Sequence, residues 1–114
     1  MPSYLVFFSR DPVDDDLAGE IVSRVRSLAG ARVWSCPAPG WFDEPDAATE
    51  VDRTCGGYLK VDDLAGDDAA ALLTAARSLS AELEVTVAVE FNERPLGQFA
   101  PGGVAGGALS ALLR

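Results

Sequence analysis

Two strand-like segments follow one another between the two helix-like segments of this chain, and that order restricts the fold more than composition does. The first strand-like segment, Ser3 to Ser9 (SYLVFFS), is short, aromatic and β-branched. Tyr4, Val6 and Phe8 alternate with Leu5 and Phe7, so both faces are apolar and a central strand covered on both sides is expected. Asp11-Pro12 then signals a helix start, with Asp14, Asp15 and Asp16 near the positive end of the helix dipole. Leu17, Ile21, Val25 and Leu28 recur at helical spacing, and Gly30 ends the helix.

Ala31 to Cys36 (ARVWSC) reads as a second strand. Gly57 to Asp62 (GYLKVD) reads as a third, with Leu59 and Val61 on one face and Tyr58 and Lys60 on the other. Residues 37–54 between them read as a long acidic loop, built from Pro37, Pro39, Gly40, Pro45 and five acids between Asp43 and Asp52. Glu50 to Arg53 is the part of it able to extend the following strand. Asp67 and Asp68 open a second helix with an apolar stripe of Leu72, Ala76, Leu79 and Leu83. Glu84 to Phe91 (EVTVAVEF) alternates most regularly of all. Asn92 to Pro95 is a turn, Leu96 to Phe99 returns as a short edge strand, and Gly102, Gly103, Gly106 and Gly107 link to a terminal helix carrying Leu109, Leu112 and Leu113.

The order is therefore β-α-β-β-α-β, plus a short edge strand and a C-terminal helix. It predicts an α+β protein: a ferredoxin-like antiparallel sheet with two helices on one face and the first and third strands central. Two consecutive strands between the helices disfavour a thioredoxin-like or doubly wound sheet. A length of 114 residues fits one domain, 1–114, with one core, and an apolar fraction of 48% argues against disorder. Apolar runs such as Leu5-Val6-Phe7-Phe8 fall far short of the roughly 20 residues of a membrane span. No basic stretch precedes an apolar run at the N-terminus, so a cytoplasmic protein is expected. Eight Arg to one Lys and a high Ala content suit a bacterial genome rich in GC.

Nine Lys plus Arg stand against eighteen Asp plus Glu, there is no histidine, and the net charge is −9. The charge is spread along the chain without a basic stripe, so no nucleic-acid partner is expected. It serves solubility or faces a basic partner. Without histidine there is no imidazole base, no Ser-His or Cys-His nucleophile and no His-ligated metal. Two cysteines cannot build a Cys₄ zinc site. Asp14 to Asp16, Asp62-Asp63 and Asp67-Asp68 miss the calcium-loop pattern; from Asp62 the twelfth position is Leu73. Helix capping accounts for the first and last of these groups. Neither metal nor cofactor is expected, and the composition favours a binding role over an enzymatic one. Ser9-Arg10-Asp11 lacks the glycine-rich turn of an anion loop, and the segment 102–107 lacks a G-K-[ST] ending.

Cys36 and Cys55 bracket the acidic loop. Were they cross-strand neighbours at its base, they would lie within disulfide reach, and closing the loop would stabilise by about 3 kcal/mol. In a reducing compartment they stay thiols, and no C-x-x-C pattern is present.

Two functional expectations follow. In the first, an acidic non-enzymatic protein engages a basic protein partner, in the manner of an inhibitor or immunity protein. The acidic loop would supply the contact residues Trp41, Phe42, Asp43, Glu44 and Asp46. The competing role for Trp41 and Phe42 is to fold back over the sheet. In the second, a dimeric α+β barrel binds a small molecule, or acts as a cofactor-free oxygenase or cyclase. Its pocket would be lined by Tyr4, Tyr58, Lys60 and Glu90, a second subunit covering the sheet face. Monomer and homodimer thus remain alternatives, and a structural subunit of a larger assembly is a third role.

Overall fold

The computed structural model describes residues 3–45 and 52–112. It is an α+β fold with a six-stranded antiparallel sheet and three helices. The elements are β1 (Tyr4–Ser9), α1 (Asp15–Gly30), β2 (Gly40–Pro45), β3 (Arg53–Lys60), α2 (Asp67–Leu83), β4 (Val87–Phe91), β5 (Arg94–Ala100), β6 (Val104–Ala105) and α3 (Leu109–Leu112). The strands lie in the order β2-β3-β1-β4-β5-β6.

The helices form where local chemistry asks for them. Asp14 caps α1, its carboxylate accepting from the Leu17 N–H at 2.8 Å, which satisfies a backbone donor at the helix start. Ala18, Ile21 and Val25 then face the core, one turn apart. Helix α2 buries Ala69, Leu72, Leu73, Ala76 and Leu79. Its cap is Gly66, which offers no side-chain bond, so the capping role expected of Asp67-Asp68 is not the one Asp68 performs. The helix ends at Glu84 in the left-handed conformation (φ 55°), which trims the expected strand to Val87–Phe91.

Both long helices pack on one face of the sheet. Leu5 and Phe7 of β1, Leu59 of β3, Val87 and Val89 of β4 and Phe99 of β5 join them in one core with Val13 and Leu109. Fully burying each large side chain contributes about 1.5–3 kcal/mol. The other face carries no helix. There Val6 and Phe8 are half-buried and Tyr4 is 39% exposed, so β1 is covered on one side only, contrary to expectation.

The second strand is displaced from its expected place. Ala31–Cys36 forms no strand, and Val33 points to solvent at 92% exposure. The segment is tied instead to α2. Its Ser35 and Cys36 N–H groups donate to the Asp68 carboxylate at 2.9 and 3.2 Å, and Arg32 pairs with the same group at 3.4 Å. The Arg32 guanidinium also lies 4.9 Å from the Trp34 ring, whose Nε1 donates to the Ala29 carbonyl. A carboxylate thus takes the backbone donors that a sheet would have used. Strand β2 begins after Pro39, inside the expected loop, and pairs with β3 over the register Gly40↔Tyr58 to Pro45↔Arg53.

The hairpin from β4 to β5 turns on Asn92 and Glu93, both at positive φ (52° and 68°), the conformation that matches the twist of the flanking strands. Strand β5 is not the edge; β6 pairs with it through Phe99↔Ala105 and Ala100↔Val104. Ser80 of α2 anchors this part of the sheet. Its buried hydroxyl lies 2.7 Å from the Val85 carbonyl, 2.9 Å from that of Ala100 and 3.1 Å from that of Phe99.

Candidate functional site

Strand alternation decides which side chains meet on the helix-free face. Gly40, Tyr58, Val6 and Glu90 form one cross-strand row over β2, β3, β1 and β4. Phe42, Gly56, Phe8 and Ala88 form the next. Tyr4, opposite Lys60, stands at the other side of the Tyr58 row.

Gly40 shapes the first row. A Cβ there would stand 2.3 Å from the Tyr58 Cζ, so the Tyr58 ring lies across β2 in space that only glycine leaves open. The ring therefore leans toward β2, away from Glu90, and Val6 is left as the floor between them. Tyr4 packs edge-on to Tyr58, ring centroids 6.1 Å apart and planes at 72°. The result is a cavity of about 800 Å³ lined by Tyr4, Val6, Phe42, Tyr58, Glu90 and Glu93, with Ser3 and Asn92 at one end. Asn92 closes that end by accepting from the Tyr4 N–H at 2.9 Å and donating to the Ser3 hydroxyl at 3.1 Å.

Three of the four pocket residues expected from the sequence, Tyr4, Tyr58 and Glu90, meet in this cavity. Lys60 does not. It lines a separate cavity of about 450 Å³ with Cys36, Asp62, Asp63, Asp67 and Asp68, beside the start of α2. The expected contact residues of the acidic segment separate as well. Phe42 joins the tyrosines on the open face. Trp41, opposite the core-facing Gly57, points to the helix side and is 48% exposed. The fold-back expected of the two aromatics thus has each going to a different face. Asp43 pairs with Arg53 across β2 and β3, so its charge is matched within the chain. Glu44 is exposed, and Asp46 lies outside the described residues.

Val6, Ser3, Asn92 and Glu93 were not singled out from the sequence. The alternation Tyr4-Val6-Phe8 carried the signal for Val6. The remaining three follow only from the way the β4–β5 turn meets the start of β1.

The two cysteines are not cross-strand neighbours. Cys55 stands opposite Asp43 and is buried; Cys36 lies outside the sheet beside Asp68; both are free thiols. Burial first, then the Asp43 charge, pushes the Cys55 thiol up to about 11. Burial and then the Asp68 contact also raise Cys36. Neither is an activated nucleophile. Among the described residues no group of three or more His, Cys, Asp or Glu is placed to hold a metal ion, and no described helix is long and apolar enough to cross a membrane.

Asp68 is held below the usual carboxylate range. Burial works upward, but bonds from the Cys36 thiol and from the Ser35 and Cys36 N–H groups, with the Arg32 charge, outweigh it. A depressed folded value stabilises above the unfolded value of about 3.9, and that stabilisation is lost as pH falls through the folded value. Asp68→Asn is therefore expected to be less stable than wild type at neutral pH, the gap closing below about pH 4. Urea unfolding across that range checks this; a gap of constant size would count against the role given to Asp68.

No protein-family model, no curated protein and no solved structure matches this chain at a significant level.

Proposed function

We propose that this protein is a non-enzymatic binding module that engages a basic protein partner, in the manner of an inhibitor or immunity protein. Its contact surface is the helix-free face of the sheet. The observation that carries this reading is the meeting of Phe42 with Tyr4, Tyr58 and Glu90 around one cavity on an uncovered face. Aromatic side chains supply burial area at little conformational cost, and carboxylates around them pair with Lys or Arg of a partner. A net charge of −9 steers such a partner from a distance. On the finer level of architecture, we read β2-β3-β1-β4 with α1 and α2 on one face as a ferredoxin-like unit extended by β5 and β6. That arrangement serves many functions and carries no argument for one.

The reading is tested with a short alternating Arg-Ser peptide and its Glu-Ser counterpart, followed by NMR at low salt. The Arg-Ser peptide is expected to shift resonances of Tyr4, Val6, Tyr58 and Glu90. Glu90→Gln with Glu93→Gln should weaken it about tenfold, whereas the charge-matched pair Asp16→Asn with Glu84→Gln should change affinity less than about twofold. Equal weakening by both pairs, or shifts spread over the helix face, overturns the proposal.

A second reading has support in the half-buried Val6, Phe8, Phe42 and Ala88, which run along the same face. Two copies would pack these faces together as an α+β barrel around a small molecule. Light scattering separates the two. A stable dimer whose mass survives physiological salt, and which Phe8→Glu dissociates, favours the barrel; a monomer favours the partner surface.

A further inference from the structure

The open-face cavity combines two walls of one chemistry with a third of another, and this deepens the function proposed above, on which it rests. Tyr4 and Tyr58 meet at 72° and form an aromatic corner. Glu90 stands across Val6 from Tyr58, two strand spacings away, or about 10 Å between backbones. The half-buried Val6 is the floor of the space between ring and carboxylate.

Neither Glu90 nor the neighbouring Glu93 makes an ion pair among the described residues. Five of the described arginines have other partners, and one of these, Arg10, also lines a neighbouring cavity that Glu90 borders, without an ion pair between them. Arg24, Arg32 and Arg53 pair with acids, Arg10 donates to the Gln98 side chain, and Arg77 donates to the Gly103 carbonyl. Lys60 lines a different cavity. The two carboxylates of the site thus form no ion pair within the described residues, while they line one cavity with two electron-rich rings.

We infer that this cavity is a binding site for a guanidinium group, the side chain of an arginine presented by the partner. A guanidinium is flat, weakly hydrated and permanently charged, so it stacks on a tyrosine ring and donates to a carboxylate at its edge together. An ammonium has the charge but not the plane, and holds its water more tightly. The Tyr58 ring supplies the stacking surface, Tyr4 backs it edge-on, and Glu90 accepts the hydrogen bonds. Gly40 is part of the site because only a residue without a Cβ leaves room for the Tyr58 ring over β2.

The test uses N-acetylarginine amide against N-acetylcitrulline amide, which has the same shape without the charge. Binding is followed through the ring resonances of Tyr4 and Tyr58. The arginine compound is expected to bind saturably and at least about fivefold more tightly than the citrulline compound. Glu90→Gln should remove that preference, and Tyr58→Leu should weaken the arginine compound about fivefold, while Tyr58→Phe keeps it. Tyr58 and Glu90 lie on the uncovered face, so thermal unfolding of the variants should match wild type and confirm that folding is intact. Arginine and citrulline compounds within about twofold of each other, or a preference that survives Glu90→Gln, overturns the inference. If the Arg-Ser peptide still maps to the open face in that case, the partner surface stands and only its arginine anchor falls. If the arginine compound binds while the peptide does not, the site stands and the protein-partner reading falls.

Discussion

Gly56→Ala is expected to destabilise the protein by about 3 kcal/mol or more, the largest loss for the smallest change of side chain. A Cβ on Gly56 would stand 1.9 Å from the Phe7 carbonyl oxygen and 2.7 Å from the Phe8 Cα, both main-chain atoms of the neighbouring strand. No rotamer relieves such an overlap, because what must move is β1 itself. Gly56 pairs with Phe8 on one side and with Phe42 on the other, in the middle of the sheet. Separating β1 from β3 there would break the ladder that places Leu5 opposite Leu59 and Phe7 opposite Gly57 in the core. A domain of this size has about 5–15 kcal/mol of stability in total, so the loss is a large share of it. Urea unfolding measures it as a lower midpoint at unchanged slope. A loss below about 1 kcal/mol would mean that the strands separate easily at this point, and that the close approach of β1 and β3 is not structural.

Phe99→Ala is expected to cost about 3–5 kcal/mol and to lower the melting temperature on the order of 15 °C. Phe99 is 0% exposed and is the largest fully buried side chain among the described residues. It stands opposite Val87 on β4 and Ala105 on β6. Its carbonyl and that of Ala100 face the Ser80 hydroxyl, which holds β5 to α2. Removing the ring leaves a cavity walled by elements that are held in place by those bonds, so collapse around it is limited. Thermal unfolding followed by circular dichroism reads the shift. A fall of only a few degrees would place β5 and β6 outside the cooperative core.

These two positions bear on what a sequence of this kind reveals. The sequence pattern puts Phe99 on a short edge strand, yet it is the fully buried residue of β5, next to that strand's end. Whether a strand is an edge depends on what pairs beyond it, and β6 is only two residues long, inside a glycine-rich link that carries no strand signal. Gly56 likewise shows no sign in the sequence that the backbone of another strand will press against it. The site divides in the same way. Tyr4, Tyr58 and Glu90 were legible, because side-chain direction alternates along a strand once the strand is known. Lys60 obeys that alternation too, but it sits where β3 runs out beside the start of α2, and there it lines a different cavity. Phe42 reached the site only because β2 forms at Gly40–Pro45, where prolines and acids had suggested a loop.

What the sequence alone determined is the part of this protein written in local interactions. The two long helices, their core-facing residues, the turn at Asn92 and Glu93, the strands β1 and β4 and the α+β class all rest on periodicity, capping and turn chemistry within a few residues. Helix α1 nonetheless starts at Asp15, with Asp14 as its cap, rather than at Asp11-Pro12, because Val13 bridges to Arg53. The tertiary structure decided everything that rests on a partner distant in the chain. Asp68 took the backbone donors of residues 35 and 36 and moved the second strand. Glycines at 40 and 56 let a ring and a strand come close. The helices packed on one face and left the other open. Strand pairing, unlike a helix, satisfies its hydrogen bonds outside its own segment, so which segment becomes a strand, and which face stays uncovered for a ligand, is settled only when the chain has closed on itself.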